Sequence, residues 1–352
     1  MTRYRKKSEI KRIYAKIGIF IAILAAGFAI ISCILGMADR QSLKNTVQKN
    51  EDNKILYQGT VYVPRGNLET YLFAGIDDPG KVEQISEYDG SGQCDVLILL
   101  VRDRSTDQCQ MLTIDRNTIT PVQSLEDDGS YISTDDMQIS LAHAMSLDHI
   151  TRAENTVQAV STLLSGARID YYAMVNMGAI QTVNDLVGGV TVTIQDDFTG
   201  VDDSLKKGET VTLTGSQAEH FIRGRMTMKD DDTNQNRMAR QTQYEDGFKT
   251  AFRQKCKEDN TFPLQMYHVL EDYMTTNINA KKFSRLSLLL TDGREVGRLS
   301  IDGKYGVDDS DWQTFVPDEN SLEQVILTLF YEKQKIDSCK KQDKRCFPIC
   351  FE

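Results

Sequence analysis

Histidine is scarce in this chain. Four stand in 352 residues, His143, His149, His220 and His268, and no spacing lets two of them share a metal ion. A Gly-x-Ser-x-Gly nucleophile elbow is absent, and so is a glycine loop ending in Lys-Ser or Lys-Thr, which removes elbow-type serine hydrolysis and P-loop nucleotide chemistry. Gly188-Gly189 reads as a helix stop. The seven cysteines are not set at metal-binding intervals. Cys339, Cys346 and Cys350 gather near the end, where an oxidising exterior permits disulfides of unassigned pairing. Basic charge is also in deficit. Lys plus Arg number 41 against 51 Asp plus Glu, a formal net charge of -10 that argues against nucleic-acid binding. No internal repeat or low-complexity tract is present. With 40% hydrophobic and 26% charged residues, the bulk of the chain reads as globular protein able to bury a core.

Hydrophobicity is concentrated at the N-terminus. Arg3, Arg5, Lys6, Lys7, Lys11, Arg12 and Lys16 precede an uncharged apolar run over residues 17–37. As a helix this run spans about 30 Å, the thickness of a bilayer hydrocarbon core. The basic flank predicts a cytoplasmic tail at 1–16, a transmembrane anchor at 17–37 and everything later outside the cell. A cleaved signal peptide would have a shorter apolar region ending at a small-x-small site. A lipoprotein-like box at Ile30-Ile31-Ser32-Cys33 is continued by Ile34 and Leu35, which disfavours cleavage there. The resulting expectation is a single-pass membrane protein with a stalk at 38–55, an extracytoplasmic domain at 56–256, and a helical extension with a cysteine-containing tail at 257–352.

Strands are expected at 56–63, 71–75, 96–101, 110–114, 171–175 and 190–194. The run over 96–101 is apolar without interruption, as for a strand buried on both faces. Helical spacing covers 140–147, 154–164 with Thr151 as N-cap, 177–186, 215–222, 236–255, 263–274, 281–290 and 321–331. This alternation predicts an α/β fold, a central mixed β-sheet flanked by helices. Ligands of such sheets bind at loops leaving the strand ends, where Asp77, Asp95 and Arg116 can converge.

Against the acidic background, residues 221–241 hold Arg223, Arg225, Arg237 and Arg240. Guanidinium forks grip phosphate oxygens bidentately and stay charged at physiological pH. The pattern fits a ligand carrying several phosphates. It equally fits a solvated face paired with Asp230, Asp231 and Asp232. Asp77 and Asp78 follow one apolar strand and Asp95 precedes another, positions suited to holding Mg2+ and also to plain turn residues.

In their order these pieces resemble the LytR-CpsA-Psr family of cell-wall glycopolymer ligases. The resemblance covers roughly 71–249. It rests on Leu72-Phe73-Ala74-Gly75-Ile76-Asp77 for the strand with Gly-x-Asp, on Asp95 before Val96-Leu97-Ile98, and on Asp115-Arg116-Asn117 for Pro-Arg-Asp. Val187-Gly188-Gly189-Val190 and the closing Arg223-Gly224-Arg225 and Arg237-Met238-Ala239-Arg240-Gln241 complete it. Departures are Pro79-Gly80 where the family has an arginine, Asp115 for its proline, Asn117 for its aspartate, Gln138 for a lysine and Asn234 for an acidic residue.

The resemblance implies an α-β-α sandwich and a phosphotransferase of Gram-positive-type envelopes. It would attach a polyprenyl-pyrophosphate-linked glycopolymer, of teichoic acid or capsule type, to peptidoglycan and release polyprenyl phosphate. Arg116, Arg223, Arg225, Arg237, Arg240 and Gln241 would bind phosphate. Asp77 and Asp95 would hold Mg2+, and Asp95, Arg116 and Arg223 would carry catalysis, with Asp95 assisting deprotonation. Two further readings stay open: a polyprenyl-phosphate-binding or envelope regulatory protein with weakened catalysis, and a polyprenyl-pyrophosphate phosphatase using water.

Overall fold

The computed structural model describes residues 48–49, 54–87, 91–224, 234–291, 294–308 and 311–334. The basic tail, the expected anchor at 17–37 and the three C-terminal cysteines lie outside the described residues. No helix among those described is long and apolar enough to cross a membrane. The chain divides into two compact units, Met1–Arg65 with Tyr331–Glu352, and Gly66–Phe330.

In the first unit β1 (Gln48–Lys49), β2 (Ile55–Tyr57), β3 (Thr60–Pro64) and the final strand Tyr331–Lys333 form one antiparallel sheet in that order. The single strand expected at 56–63 is thus a hairpin. It turns at Gln58 and Gly59, both at positive φ (47° and 76°), the left-handed pair that tight hairpins use.

The second unit contains β4 (Leu68–Ile76), β5 (Cys94–Asp103), β6 (Cys109–Ile114), the ribbon β7 (Ile119–Leu125) and β8 (Tyr131–Gln138), a 3-10 turn Ile139–Ala144, α1 (His149–Leu163) and β9 (Tyr171–Asn176). After these come α2 (Ala179–Leu186), the ribbon β10 (Val190–Thr193) and β11 (Thr210–Leu213), α3 (Gly215–Arg223), α4 (Asn234–Glu258) and α5 (Phe262–Leu270). The unit closes with β12 (Met274–Thr276), α6 (Ala280–Thr291), β13 (Glu295–Ser300), the ribbon β14 (Gly303–Val307) and β15 (Gln313–Pro317), and α7 (Glu319–Phe330).

Its central sheet is mixed and six-stranded, in the order β12-β9-β4-β5-β6-β13. β9 is parallel to β4 and β13 to β6, while the other pairs are antiparallel. Both edge strands come from beyond residue 256, so the expected boundary there falls inside this compact unit. Local pattern cannot reveal such pairing, because β12 and β13 are short and polar and owe their extension to the strands beside them.

Leu72, Leu97, Leu99 and Leu112 are fully buried in the sheet. Tyr71, Leu100, Met111 and Ala173 form a second cluster with Ile278 and Leu286, so α6 covers that region. α1 packs against β7, β9, β12 and the 3-10 turn. Its N-cap is Asp148, whose carboxylate accepts the Thr151 backbone N–H at 2.7 Å. Thr151, expected as the cap, therefore lies inside the helix. The helix expected at 140–147 is the 3-10 turn. A further cluster joins α2–α5 to the β10–β11 ribbon through Val190, Leu213, Phe221, Phe252 and Phe262. α3 is fixed by a capping box: the Thr214 hydroxyl accepts the Gln217 N–H and the Gln217 side chain accepts the Thr214 N–H. The box sets the helix whose last residue is Arg223.

Candidate functional site

β4 ends at Ile76 and the chain turns through Asp77–Gly80. This turn is pinned on two sides. The Asp77 N–H donates to the Gln93 carbonyl at 2.9 Å, and the Gly178 N–H donates to the Asp78 carbonyl at 3.2 Å. The Asn176 side-chain amide donates to the Gly80 carbonyl at 3.1 Å. Gly178 is required by close approach, since a Cβ there would sit 2.2 Å from the Pro79 carbonyl oxygen.

Opposite this turn the pairing of β4 with β5 slips. Gly75 faces Val96 and Ile76 faces Cys94, so Asp95 is the extra residue of a β-bulge. Its carboxylate is ion-paired with Nη1 of Arg116, just beyond β6, and Nη2 of Arg116 donates to Gln93 Oε1 at 2.6 Å. Arg223 donates through Nη2 to Asp77 Oδ1 and through Nη1 to Glu219 Oε1, both at 2.8 Å. Arg223, Asp77, Gln93, Arg116 and Asp95 therefore form one connected series across the ends of β4, β5 and β6.

The series is graded in exposure. The Arg116 and Asp95 side chains are 11% and 5% exposed, those of Arg223 and Asp77 30% and 42%. The inner pair is shielded and the outer pair is open to solvent and to ligand. Arg116 Nε and Gln241 Nε2 are buried donors without a hydrogen-bond partner, a state that costs about 1–3 kcal/mol per group. Burial alone would raise the Glu219 carboxyl, but hydrogen bonds from Gln181 and Arg223 outweigh it and hold Glu219 below the usual range.

Residues that no local motif signals support this frame. Gly92, next to Gln93, sits at φ +89° and a Cβ there would meet Arg152 Nη1 at 2.4 Å. Its carbonyl lies 2.8 Å from Nδ1 of His143, which is 2% exposed. Burial first, then the charges of Arg152 and His149, push His143 down to about 3, so the ring is neutral and donates from Nδ1. Cys94 is buried beside Asp95, and burial pushes its thiol up to about 12, which removes it as a nucleophile.

One sheet face leads away from the series. Phe73, Gly75, Val96, Ile98, Thr113 and Val175 are side by side in register, and each is only partly buried. The apolar run of β5 is thus dry on one face and partly open on the other near Asp95.

The other expected site residues are placed differently. Arg225 lies outside the described residues, as does the side chain of Arg237. Arg240 is outside the series: Nη1 pairs with Asp196 at 2.8 Å, Nη2 donates to the Gly224 carbonyl at 2.6 Å, and the guanidinium lies over the Phe198 ring. It thereby locks the residue following Arg223. Asn117 is buried, and its Oδ1 accepts from Gln138 Nε2 at 3.4 Å. Gln138 ends β8 and directly precedes the 3-10 turn as its N-cap. Among the described residues no three His, Cys, Asp or Glu side chains form a metal cage.

The profile of the LytR_cpsA_psr family matches residues 34–344. The chain is 31% identical over 159 residues to the polyisoprenyl-teichoic acid–peptidoglycan teichoic acid transferase TagU of Oceanobacillus iheyensis, covering 45% of this chain and 46% of that protein. To the protein of the same name from Bacillus licheniformis it is 26% identical over 246 residues, 70% of each chain. The match thus spans under half the length of the first relative. The crystal structure of B. subtilis TagV shares the fold, with a TM-score of 0.55 and 24% identity over 75% of this chain and 96% of that one. With a profile match across nearly its whole length and a shared fold, this chain belongs to the LytR_cpsA_psr family.

Proposed function

We propose that the protein is a membrane-anchored phosphotransferase acting outside the cell. It moves an anionic glycopolymer of teichoic acid or capsule type from a polyprenyl-pyrophosphate carrier to peptidoglycan and releases polyprenyl phosphate. The observation that carries this reading is the series of Arg223, Asp77, Gln93, Arg116 and Asp95 at the sheet end, beside a partly buried apolar strip. Guanidinium groups suit a diphosphate, and the strip of Phe73, Val96, Ile98 and Val175 suits a hydrocarbon tail. The names of the two transferase relatives support the same substrate class.

In this reading Arg223, at the open end, meets the diphosphate first. Arg116 follows with its unpaired Nε, and Arg225 and Arg237 add charge from the neighbouring segment. A sugar hydroxyl of the acceptor attacks the phosphorus nearest the glycan. The new P–O bond forms as the bond from that phosphorus to the bridging oxygen breaks, and polyprenyl phosphate leaves with the bonding electrons. Asp95 takes the hydroxyl proton, and the arginines stabilise the charge gained on the equatorial oxygens.

Mg2+ is a hard ion that takes one or two protein carboxylates and completes its shell with phosphate oxygens and water. Asp77 and Asp95 would hold it, and it would neutralise charge on the diphosphate. A membrane anchor would confine the protein to the bilayer that carries its donor.

The test is release of polyprenyl phosphate from a lipid-linked donor by the full chain in non-ionic detergent. Arg223→Ala should lower turnover by about two to three orders of magnitude, as for loss of one preorganised donor to a transition-state oxyanion. Unchanged turnover removes the arginine series from the mechanism. Product appearing as free polymer, with none linked to peptidoglycan, makes water the acceptor.

A further inference from the structure

The opposite end of the central sheet carries a second concentration of positive charge. Glu69 and Arg102 lie there, about 25 Å along the strands from Asp77 and Asp95 at ~3.3 Å per residue. A cavity of about 580 Å³ opens at this end, and Arg102, Arg104, Lys281, Lys282 and Arg285 line it against one carboxylate, Glu69. Its remaining surface includes Tyr71, Leu286 and Leu289. In a chain of net charge -10 this is a marked local reversal.

The five cations fall into two layers. Arg102 and Lys282 are fixed: Arg102 Nη1 reaches Glu69 Oε2 at 2.7 Å, its Nε reaches Asp107 Oδ1 at 3.0 Å, and Lys282 reaches Glu69 Oε1 at 2.6 Å. Lys282 also lies 4.0 Å from the centre of the Tyr171 ring. Arg104, Lys281 and Arg285 are different. Among the described residues no hydrogen bond or ion pair engages their side chains, and Arg285 acts on Asp107 only at longer range, behind Arg102.

Local electrostatics makes the arrangement costly without a counter-charge. α6 begins here, and Lys281 and Lys282 sit in its first turn, which contains no acidic residue. Cations at the positive end of a helix are disfavoured by about 0.3–1 kcal/mol each, whereas an anion there is favoured. Asn279 caps the helix by accepting the Lys282 N–H at 2.9 Å. An anion in the cavity would meet free N–H and N–H+ donors of one sign from two sides, the β5 end and the α6 start.

We propose that this cavity is a second anion site, which takes a phosphate group carried on an organic body and is separate from the Arg116–Arg223 site. Multiple charge matches the surplus of cations, and guanidinium forks on Arg104 and Arg285 match phosphate oxygens. The Tyr71, Leu286 and Leu289 surfaces give an organic body something to pack on, and the volume exceeds what inorganic phosphate fills. The inference does not depend on the transferase reading.

The test is titration calorimetry at low ionic strength on the full chain in non-ionic detergent, with glycerophosphate as the probe and inorganic phosphate as the comparison. Hydrogen exchange over residues 279–286 reports the location. Lys281→Ala with Arg285→Ala should weaken glycerophosphate binding about tenfold or more, from loss of two charge-assisted contacts, and abolish the protection at α6. Both side chains are exposed, so the double variant should unfold like the wild type. Lys206→Ala with Lys207→Ala removes the same charge from exposed positions elsewhere and should leave binding unchanged. Equal affinity in wild type and the Lys281/Arg285 variant, or equal loss in the Lys206/Lys207 control, overturns the site. Inorganic phosphate binding as tightly as glycerophosphate overturns the organic body.

Discussion

Acidification from about pH 7 to pH 5 should cost the second unit about 2 kcal/mol of stability through His143 alone. His143 is shielded from water, and burial first, then Arg152 and His149, lower it from 6.5 to about 3 against the raising effect of the Gly92 carbonyl. The unfolded chain therefore binds this proton at a higher pH than the folded one. The contribution is fully present above about pH 6.5 and is lost as the pH falls through the interval from 6.5 toward 3. At pH 5 the imbalance has accumulated over about 1.5 pH units, at ~1.4 kcal/mol each, which gives the figure of about 2. Carboxylates held below their usual range, Glu69 and Asp202 among them, lose their contributions at lower pH and stay out of this window. Urea unfolding at both pH values, on the wild type and on His143→Gln, checks it. Gln can still donate to the Gly92 carbonyl but cannot be protonated, so the variant should lose about 2 kcal/mol less between pH 7 and 5. Equal losses in the two proteins refute the reasoning.

Gly178→Ala forces a Cβ to within 2.2 Å of the Pro79 oxygen; it should cost about 1–3 kcal/mol in urea unfolding and lower turnover by moving the Asp77 turn. Arg240→Ala strands the mostly buried Asp196 and frees the Gly224 carbonyl. A loss of about 3 kcal/mol in stability is expected, with donor affinity changed far less; an unchanged unfolding midpoint with a raised KM would instead make Arg240 part of the ligand clamp. Asn117→Asp buries a second carboxylate beside Asp115 and should destabilise by about 1–3 kcal/mol, with Gln138→Lys restoring part of that loss. A double-mutant cycle with no coupling energy would show that the two positions do not interact.

How much was legible depended on range. β4, β5 and β6 are announced by apolar runs, and Asp77, Asp95 and Arg116 lie just where those runs start or stop. Arg223 comes at the end of a helix with a readable cap. The structure joins these four residues through Gln93, which nothing in the sequence marks, because residues 81–93 carry only turn composition and one of its two contacts is made by its backbone carbonyl. The β7–β8 ribbon has polar, exposed positions and a proline at 121, so no alternation betrays it. Helical spacing over α4 does not say what its arginines meet. For Arg240 it is Asp196, 44 residues earlier.

Asn117 and Gln138 show how departures from a family pattern change meaning in three dimensions. Each alone removes a charge expected near Arg116, the one a carboxylate and the other an ammonium. In the fold they touch, so an expected opposite-charge pair is replaced by an amide pair, an exchange that is neutral in net charge. With Asn117 6% exposed, a neutral pair also avoids the desolvation that an ion pair would suffer. The same contacts tie the loop to distant sequence. Gln138 Nε2 donates to the Gln313 carbonyl at 2.5 Å, the Phe315 N–H donates to the Asn117 carbonyl at 2.9 Å, and the Tyr305 hydroxyl donates to Asp115 Oδ2 at 2.5 Å. Arg116 is therefore flanked by two residues that the β14–β15 ribbon grips from far along the chain, 190 positions away in the case of Asp115. The ribbon thus holds the residues on either side of Arg116, in addition to the strand that delivers them. In this chain the segment after 256 helps to build the site.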